Sequence, residues 1–114
     1  MDDCLFCKIL RGEIPSKKVF EDDLTYAFHD ISPQAKAHVL VIPKKHVSGL
    51  PEADKLSDEQ LAACLRTCRT VAKLLDLEQS GYRVVSNSGP DACQSVAHLH
   101  FHVIGGNAMS PQMV

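Results

Sequence analysis

The sequence predicts an α+β domain: a five-stranded antiparallel sheet with one long and one short helix. Three observations carry this. Short apolar or alternating runs recur between turn signals, as strands do. One segment alone, residues 57–77, keeps a helical apolar period over many residues. The chain has 114 residues, 45% of them hydrophobic and 23% charged, which suits a single globular domain spanning 1–114.

Residues 4–10 form a predicted short helix, stopped by Gly12 and Pro15, and with Cys4 and Cys7 they mark an N-terminal segment over 1–16. Lys17 to Glu21 and Leu24 to Asp30 read as two strands joined at Asp22-Asp23. In the second, Leu24, Tyr26 and Phe28 share one face, and Thr25, Ala27 and His29 the other. His38 to Ile42 is a third strand whose continuous apolar run implies burial on both faces. Ser57 caps the long helix and Gln60 completes a capping box. Its apolar stripe is Leu61, Cys64, Leu65, Cys68, Val71, Ala72 and Leu75. Tyr82 to Asn87 and His98 to Ile104 are the last two strands, separated by a loop from Ser88. The tail, 107–114, carries no pattern.

Twelve Lys+Arg against fourteen Asp+Glu give a formal charge of -2, which argues against a broad basic face for nucleic acid. The longest aliphatic run, Val39 to Ile42, falls far short of the ~20 residues a membrane span needs. The N-terminus reads Met-Asp-Asp-Cys, acidic where a signal peptide is basic. The five cysteines are odd in number, which disfavours a disulfide framework. A cytoplasmic location, with neither nucleic acid nor membrane as partner, is therefore expected. Cys64 and Cys68 fall in the helix and are expected to pack as small apolar residues. Cys4-x-x-Cys7 is either half a metal site or two half-buried thiols.

Chemistry concentrates in His98-Leu99-His100-Phe101-His102. On a strand, alternate side chains share a face, so the imidazoles are expected on one surface, roughly 6.5–7 Å apart, with Leu99, Phe101 and Val103 turned to the core. Crowding disfavours protonating all three, which leaves a neutral imidazole as nucleophile, base or metal ligand. Solvated faces ordinarily carry Lys, Glu, Thr or Ser, so three histidines fit a site better than a plain surface. Three metal ligands in a row on one strand suit a tetrahedral ion badly. Gln94-Ser95 leads into this strand, where a hydroxyl and backbone amides can donate to phosphoryl oxygens.

These residues resemble the histidine triad family, whose motif is His-x-His-x-His followed by two apolar residues. The resemblance extends through Phe6-Cys7-Lys8-Ile9, Gly12 to Pro15, Ala27 to Ala35, Val41 to His46 and Gln94-Ser95-Val96, in family order. It is nearest to the nucleotide-binding branch typified by nucleoside phosphoramidases. It implies a homodimer, and a purine nucleoside phosphoramidase that breaks a P–N bond through a nucleotidyl-histidine intermediate. The partner is then a purine nucleoside monophosphate or its phosphoramidate. His100 matches the nucleophile, His102 the contact to phosphoryl oxygens, and His98 a residue orienting the site. Asn87 and Ser95 match positions holding phosphate or leaving group, Asp30 the ribose acceptor, and Ile9, Phe28, His29 and Ile31 the base pocket.

Catalysis of this kind needs no cofactor. Some relatives carry a structural zinc on an N-terminal Cys-x-x-Cys, and the matching set here is Cys4, Cys7, His46 and His98. Two departures from the family pattern bear on specificity. Ala92-Cys93 stands where the family has Gly-Gly, and the Trp-Pro-Pro-type tail is absent from a chain without tryptophan. The rival functions are a dinucleoside polyphosphate hydrolase, with the same histidine chemistry and a different leaving group, and a nucleotide-binding regulatory module with little turnover.

Overall fold

The computed structural model describes residues 3–112, and its central strand sets the layout. The first elements in chain order are helix α1 (Leu5–Leu10) and strands β1 (Lys18–Glu21), β2 (Thr25–His29) and β3 (Ala37–Pro43). Helix α2 (Asp58–Leu74) and strands β4 (Tyr82–Val85) and β5 (Phe101–Gly105) follow. The sheet order is β1-β2-β3-β5-β4, antiparallel at every step. β3 is thus the middle strand, and His38 to Pro43 are all buried, as its unbroken apolar run predicts. The five-stranded antiparallel expectation holds.

The two faces of the sheet differ. Helix α2 lies on one, over Ala27, Val39, Val41, Phe101 and Val103. Ser57 caps it by accepting from the Gln60 N–H, while the Gln60 side chain accepts from the Ser57 N–H. The helix stops at Leu74, three residues before the predicted end, and its stripe is slightly rotated. Thr67 is buried and pinned to Thr25 of β2 at 2.6 Å, while Leu65 is 55% exposed. Cys64 and Cys68 pack in the core as expected, and burial pushes their thiols up to about 11 and about 12.

The opposite face carries Tyr26, Phe28, Leu40 and Ile42, covered by Phe6 of α1. The β2 alternation read from the sequence therefore divides as predicted. This second face also carries the histidines, so the functional surface is backed by the sheet. Among the described residues, no helix is long and apolar enough to cross a membrane. Asn107 to Gln112 fold back along this face: Asn107 Oδ1 accepts from the Lys36 N–H at 2.9 Å, and Arg83 donates to the Ser110 carbonyl. Met1, Asp2, Met113 and Val114, which the expectations for 1–16 and 107–114 include, lie outside the described residues.

Candidate active site and metal centre

Strand β5 begins at Phe101, so the expectation of one continuous His98–Ile104 strand is corrected. The Leu99 N–H donates to the Val47 carbonyl at 2.8 Å, outside the sheet ladder, and this bond turns the chain before β5 starts. The three imidazoles therefore do not form one open row. His98 is 0% and His100 3% exposed, and only His102 is half-buried. Phe6 sits edge-on to both His98 and His100, with centroids 5.9 and 5.2 Å away. The rings of His100 and His102 are 5.1 Å apart, closer than strand spacing predicts. Leu99, Phe101 and Val103 do enter the core.

Each triad ring has a distinct set of partners. His100 Nδ1 lies 2.7 Å from the His98 carbonyl oxygen. A carbonyl only accepts, so Nδ1 carries the hydrogen and the lone pair of the neutral ring is on Nε2. Ser86 donates to the His100 carbonyl at 2.8 Å and ties this segment to the end of β4.

His102 touches a residue that the sequence reading passed over. His38 Nε2 lies 2.8 Å from His102 Nδ1, and His38 Nδ1 accepts from the Gln34 N–H at 3.0 Å. With its Nδ1 occupied as an acceptor, neutral His38 carries hydrogen on Nε2 and donates to His102. Neutral His102 then carries its own hydrogen on Nε2. Asp30 Oδ2 stands 3.4 Å from His38 Nε2, and Asp30 Oδ1 accepts from the Ser32 N–H. Burial, reinforced by the neighbouring His100 and His38, pushes His102 down to about 4; burial also lowers His38, against the pull of Asp30. The signal for His38 was available: it is the one titratable residue in an otherwise apolar strand.

Cys4, Cys7, His46 and His98 converge although they come from three distant parts of the chain, their ligand atoms all within 4.8 Å of one another. Cys4 is the N-cap of α1, and its Sγ accepts from the Cys7 N–H at 3.4 Å. His98 Nε2 donates to the Pro43 carbonyl at 3.0 Å, which leaves its Nδ1 lone pair facing the thiols. That Nδ1 lies 3.4 Å from Cys4 Sγ, 3.6 Å from Cys7 Sγ and 3.1 Å from His46 Nδ1; Cys7 Sγ is 3.3 Å from His46 Nδ1. A tetrahedral zinc with its ordinary bond lengths spaces such donors by roughly 3.3–3.8 Å. The donor set fits the ion in chemistry and in spacing. Burial pushes His98 down to about 4, so its ring is held in the uncharged form a metal requires. Burial and the neighbouring Cys4 thiol raise Cys7 above the ordinary thiol value.

Two cavities flank the histidines. One, of about 520 Å³, is lined by Ile9, Phe28, His29, Asp30 and Ile31 among others. All the residues assigned by resemblance to the base pocket and ribose thus share one cavity, and Ile31 is 98% exposed at its rim. The second, of about 430 Å³, is lined by His38, His102, Asn87, Arg83 and residues of the tail. Ser95 is exposed and borders neither. Gln94 staples the loop before it: its Nε2 donates to the carbonyls of Ser48 and Val96 at 2.7 and 3.0 Å, and its Oε1 accepts from the Gly89 N–H at 3.0 Å. Cys93, in the place of a family glycine, is exposed at φ 59, a left-handed conformation that glycine adopts without strain.

Comparison with known proteins agrees with this geometry. The HIT domain family model matches residues 11–109. A 14 kDa zinc-binding protein of Zea mays is 47% identical over 108 residues, 93% of this chain and 84% of that protein. A HIT family hydrolase from Legionella pneumophila Philadelphia 1 superposes with a TM-score of 0.87 at 43% identity, covering 96% of this chain and 97% of that one. A histidine triad nucleotide-binding protein from Candida albicans superposes with a TM-score of 0.82 at 38% identity, covering 98% of this chain and 85% of that one. With its fold, its histidine constellation and these likenesses in agreement, the chain belongs to the HIT domain family.

Proposed function

We propose that the protein is a purine nucleoside phosphoramidase. His100 Nε2 attacks the α-phosphorus of a nucleoside phosphoramidate, and the P–N bond to the amine breaks as the N–P bond to His100 forms. The amine takes a proton from solvent as it leaves, and water then attacks the phosphorus, breaks its bond to His100 Nε2 and returns a proton to solvent, giving the monophosphate and free neutral His100. Covalent catalysis divides one hard displacement into two easier ones.

The observation that carries this reading is the hydrogen of His100 on Nδ1, held by the His98 carbonyl, which reserves Nε2 for phosphorus. The Gln34–His38–His102 chain supplies the second element, a His102 Nε2–H aimed away from His38 and available to a phosphoryl oxygen. Asn87 shares the cavity of His102 and is assigned to the same group. Asp30 borders the other cavity with Ile9, Phe28, His29 and Ile31, where it takes the ribose hydroxyls while the apolar walls take the base. Ser95 takes the leaving-group side, at the mouth of the loop that Gln94 holds.

Zinc, when bound by Cys4, Cys7, His46 and His98, supplies structural cross-linking of α1 to the sheet. It leaves His100 outside the ligand set. Catalysis needs no other cofactor. We assign the protein to the cytoplasm, and to a homodimer built on β4. That edge is the more open one: β1 has a bulge and Lys18 and Glu21 at its ends, whereas β4 exposes Val84 at 40%.

Brief mixing with adenosine phosphoramidate followed by peptide mass spectrometry tests the reading. A mass gain of one adenylyl group on the peptide holding His100, lost in His100→Asn, is expected. Turnover without that adduct in rapid quench, or full activity in His100→Asn, overturns it. Faster turnover of a diadenosine polyphosphate favours the hydrolase alternative, and tight AMP binding without turnover favours the regulatory one.

A further inference from the structure

Helix α1 is six residues long, far below the roughly 12–15 at which a helix begins to hold in water without tertiary contacts. Past its last turn, the Arg11, Gly12 and Glu13 N–H groups donate back to Cys7, Ile9 and Lys8 of the same segment. Side chains on two adjacent faces join it to the sheet. Cys4 and Cys7, three apart, meet His98 Nδ1 and His46 Nδ1 at 3.4 and 3.3 Å. Phe6 and Ile9, also three apart, pack with Phe28, Leu40 and Ile42.

The second pair reaches the reaction site. Phe6 is buried, and its ring stands edge-on to His100 at 90° and to Phe28 at 76°, with centroids 5.2 and 5.5 Å away. Ile9 and Phe28 are walls of the cavity of about 520 Å³. One short helix therefore carries two candidate metal ligands, the ring against the nucleophile and a wall of the base cavity. A shift of the thiols is a shift of Phe6 and Ile9 as well.

We propose that the Cys4–Cys7–His46–His98 centre and the reaction site are coupled through α1, with Phe6 as the positioning residue: Phe6 is held against His100, and Ile9 in the cavity wall, when the cysteines hold a metal. The nucleotide half of this coupling rests on the phosphoramidase reading. A purine closed on Ile9 clamps the same helix from its other face, so each ligand tightens the other, and linkage makes the two factors equal. The other route between the sites is His98 itself, whose ring faces the thiols and whose carbonyl accepts from His100 Nδ1. Substitutions at Phe6 leave that bond in place and separate the two routes.

Calorimetry gives the AMP Kd of the full chain, zinc-loaded and stripped by chelator under reducing conditions. Competition with a chromogenic chelator gives the zinc Kd with and without saturating AMP. We expect AMP to bind about tenfold more tightly to the loaded protein, and zinc about tenfold more tightly in the presence of AMP, within the usual range of coupling between sites. In Phe6→Leu and Phe6→Met both factors should fall toward one while zinc is still bound. Native factors of one overturn the proposal. Factors that persist in the Phe6 variants also overturn it, since they assign the coupling to His98. A stripped protein without its sheet signal in circular dichroism overturns it too, because the metal then holds the whole fold.

Modification of His100 by diethyl pyrocarbonate, mapped by tandem mass spectrometry, reads the coupling without a nucleotide and without a variant. Stripping zinc should speed it severalfold as Phe6 uncovers the ring. If AMP binds in neither state but this rate depends on zinc, the nucleotide reading falls and the coupling stands. If AMP binds and neither its Kd nor the labelling rate responds to zinc, the nucleotide reading stands and the coupling falls. Without AMP binding and without that dependence, both fall.

Discussion

His38 Nε2 and His102 Nδ1 stand 2.8 Å apart, and the Gln34 N–H on the far side of His38 settles which ring donates. The orientation of the hydrogen on His102 is thus set by a backbone amide two side chains away. The same logic appears where the His98 carbonyl holds His100 Nδ1. In both cases a main-chain group selects a tautomer, which fixes what the free nitrogen can do.

His38 is accordingly a positioning residue. His38→Leu leaves His102 free to place its hydrogen on either nitrogen, and half of those states offer a phosphoryl oxygen a lone pair in place of a donor. We expect kcat with adenosine phosphoramidate to fall about twofold to tenfold, well short of the loss on deleting a preorganised donor outright, because the donor tautomer stays populated. His38→Gln, which keeps a side-chain N–H, should recover part of the loss. Steady-state kinetics on both variants checks this, and equal rates in all three proteins would remove His38 from the mechanism.

Acid stability follows from the same pair. His102 in the folded protein is pushed down to about 4 and His38 is lowered in the same direction, mainly by burial. The unfolded chain binds those protons near pH 6.5, so between about 6.5 and 4 it holds more protons than the folded one. Stability is therefore fully present above pH 6.5 and declines as pH falls toward 4. Urea midpoints measured from pH 7.5 to 4.5 should drop across that window, and the slope should flatten in His102→Gln.

Cys4→Ser separates capping from metal binding. Serine caps a helix at least as well as a thiol, so the bond to the Cys7 N–H survives while one ligand of the Cys4–Cys7–His46–His98 set is lost. We expect about one zinc per chain in the native protein by elemental analysis and much less in the variant. Chelation should lower the melting temperature of the native protein and leave that of Cys4→Ser nearly unchanged. A native protein indifferent to chelator and free of zinc would reduce the cluster to two thiols hydrogen-bonded to imidazoles.

Gln94→Ala removes the three bonds that hold the loop ahead of Ser95 to Ser48, Val96 and Gly89. At about 0.5–1.5 kcal/mol for each net bond the variant should lose roughly 1.5–4.5 kcal/mol of stability. KM for a phosphoramidate should rise more than kcat falls, because the loop is displaced while His100 keeps its bond to the His98 carbonyl. Denaturant unfolding and initial rates read the two effects independently.

The sequence by itself determined the sheet, the long capped helix and the burial of β3. These are legible because they depend on periods of two and of about 3.6 residues, and on local capping chemistry. The resemblance of its motifs also named Cys4, Cys7, His46 and His98, whose ligand atoms the structure brings within 4.8 Å of one another. Only the tertiary structure decided that His98 leaves the strand direction to join the cysteines, because a bond from Leu99 to Val47 lies outside any local pattern. Only it brought His38 to His102, since that contact is made across strands distant in the chain. Strand periodicity sets which face a side chain takes, whereas register and loop tethers set which side chains meet there.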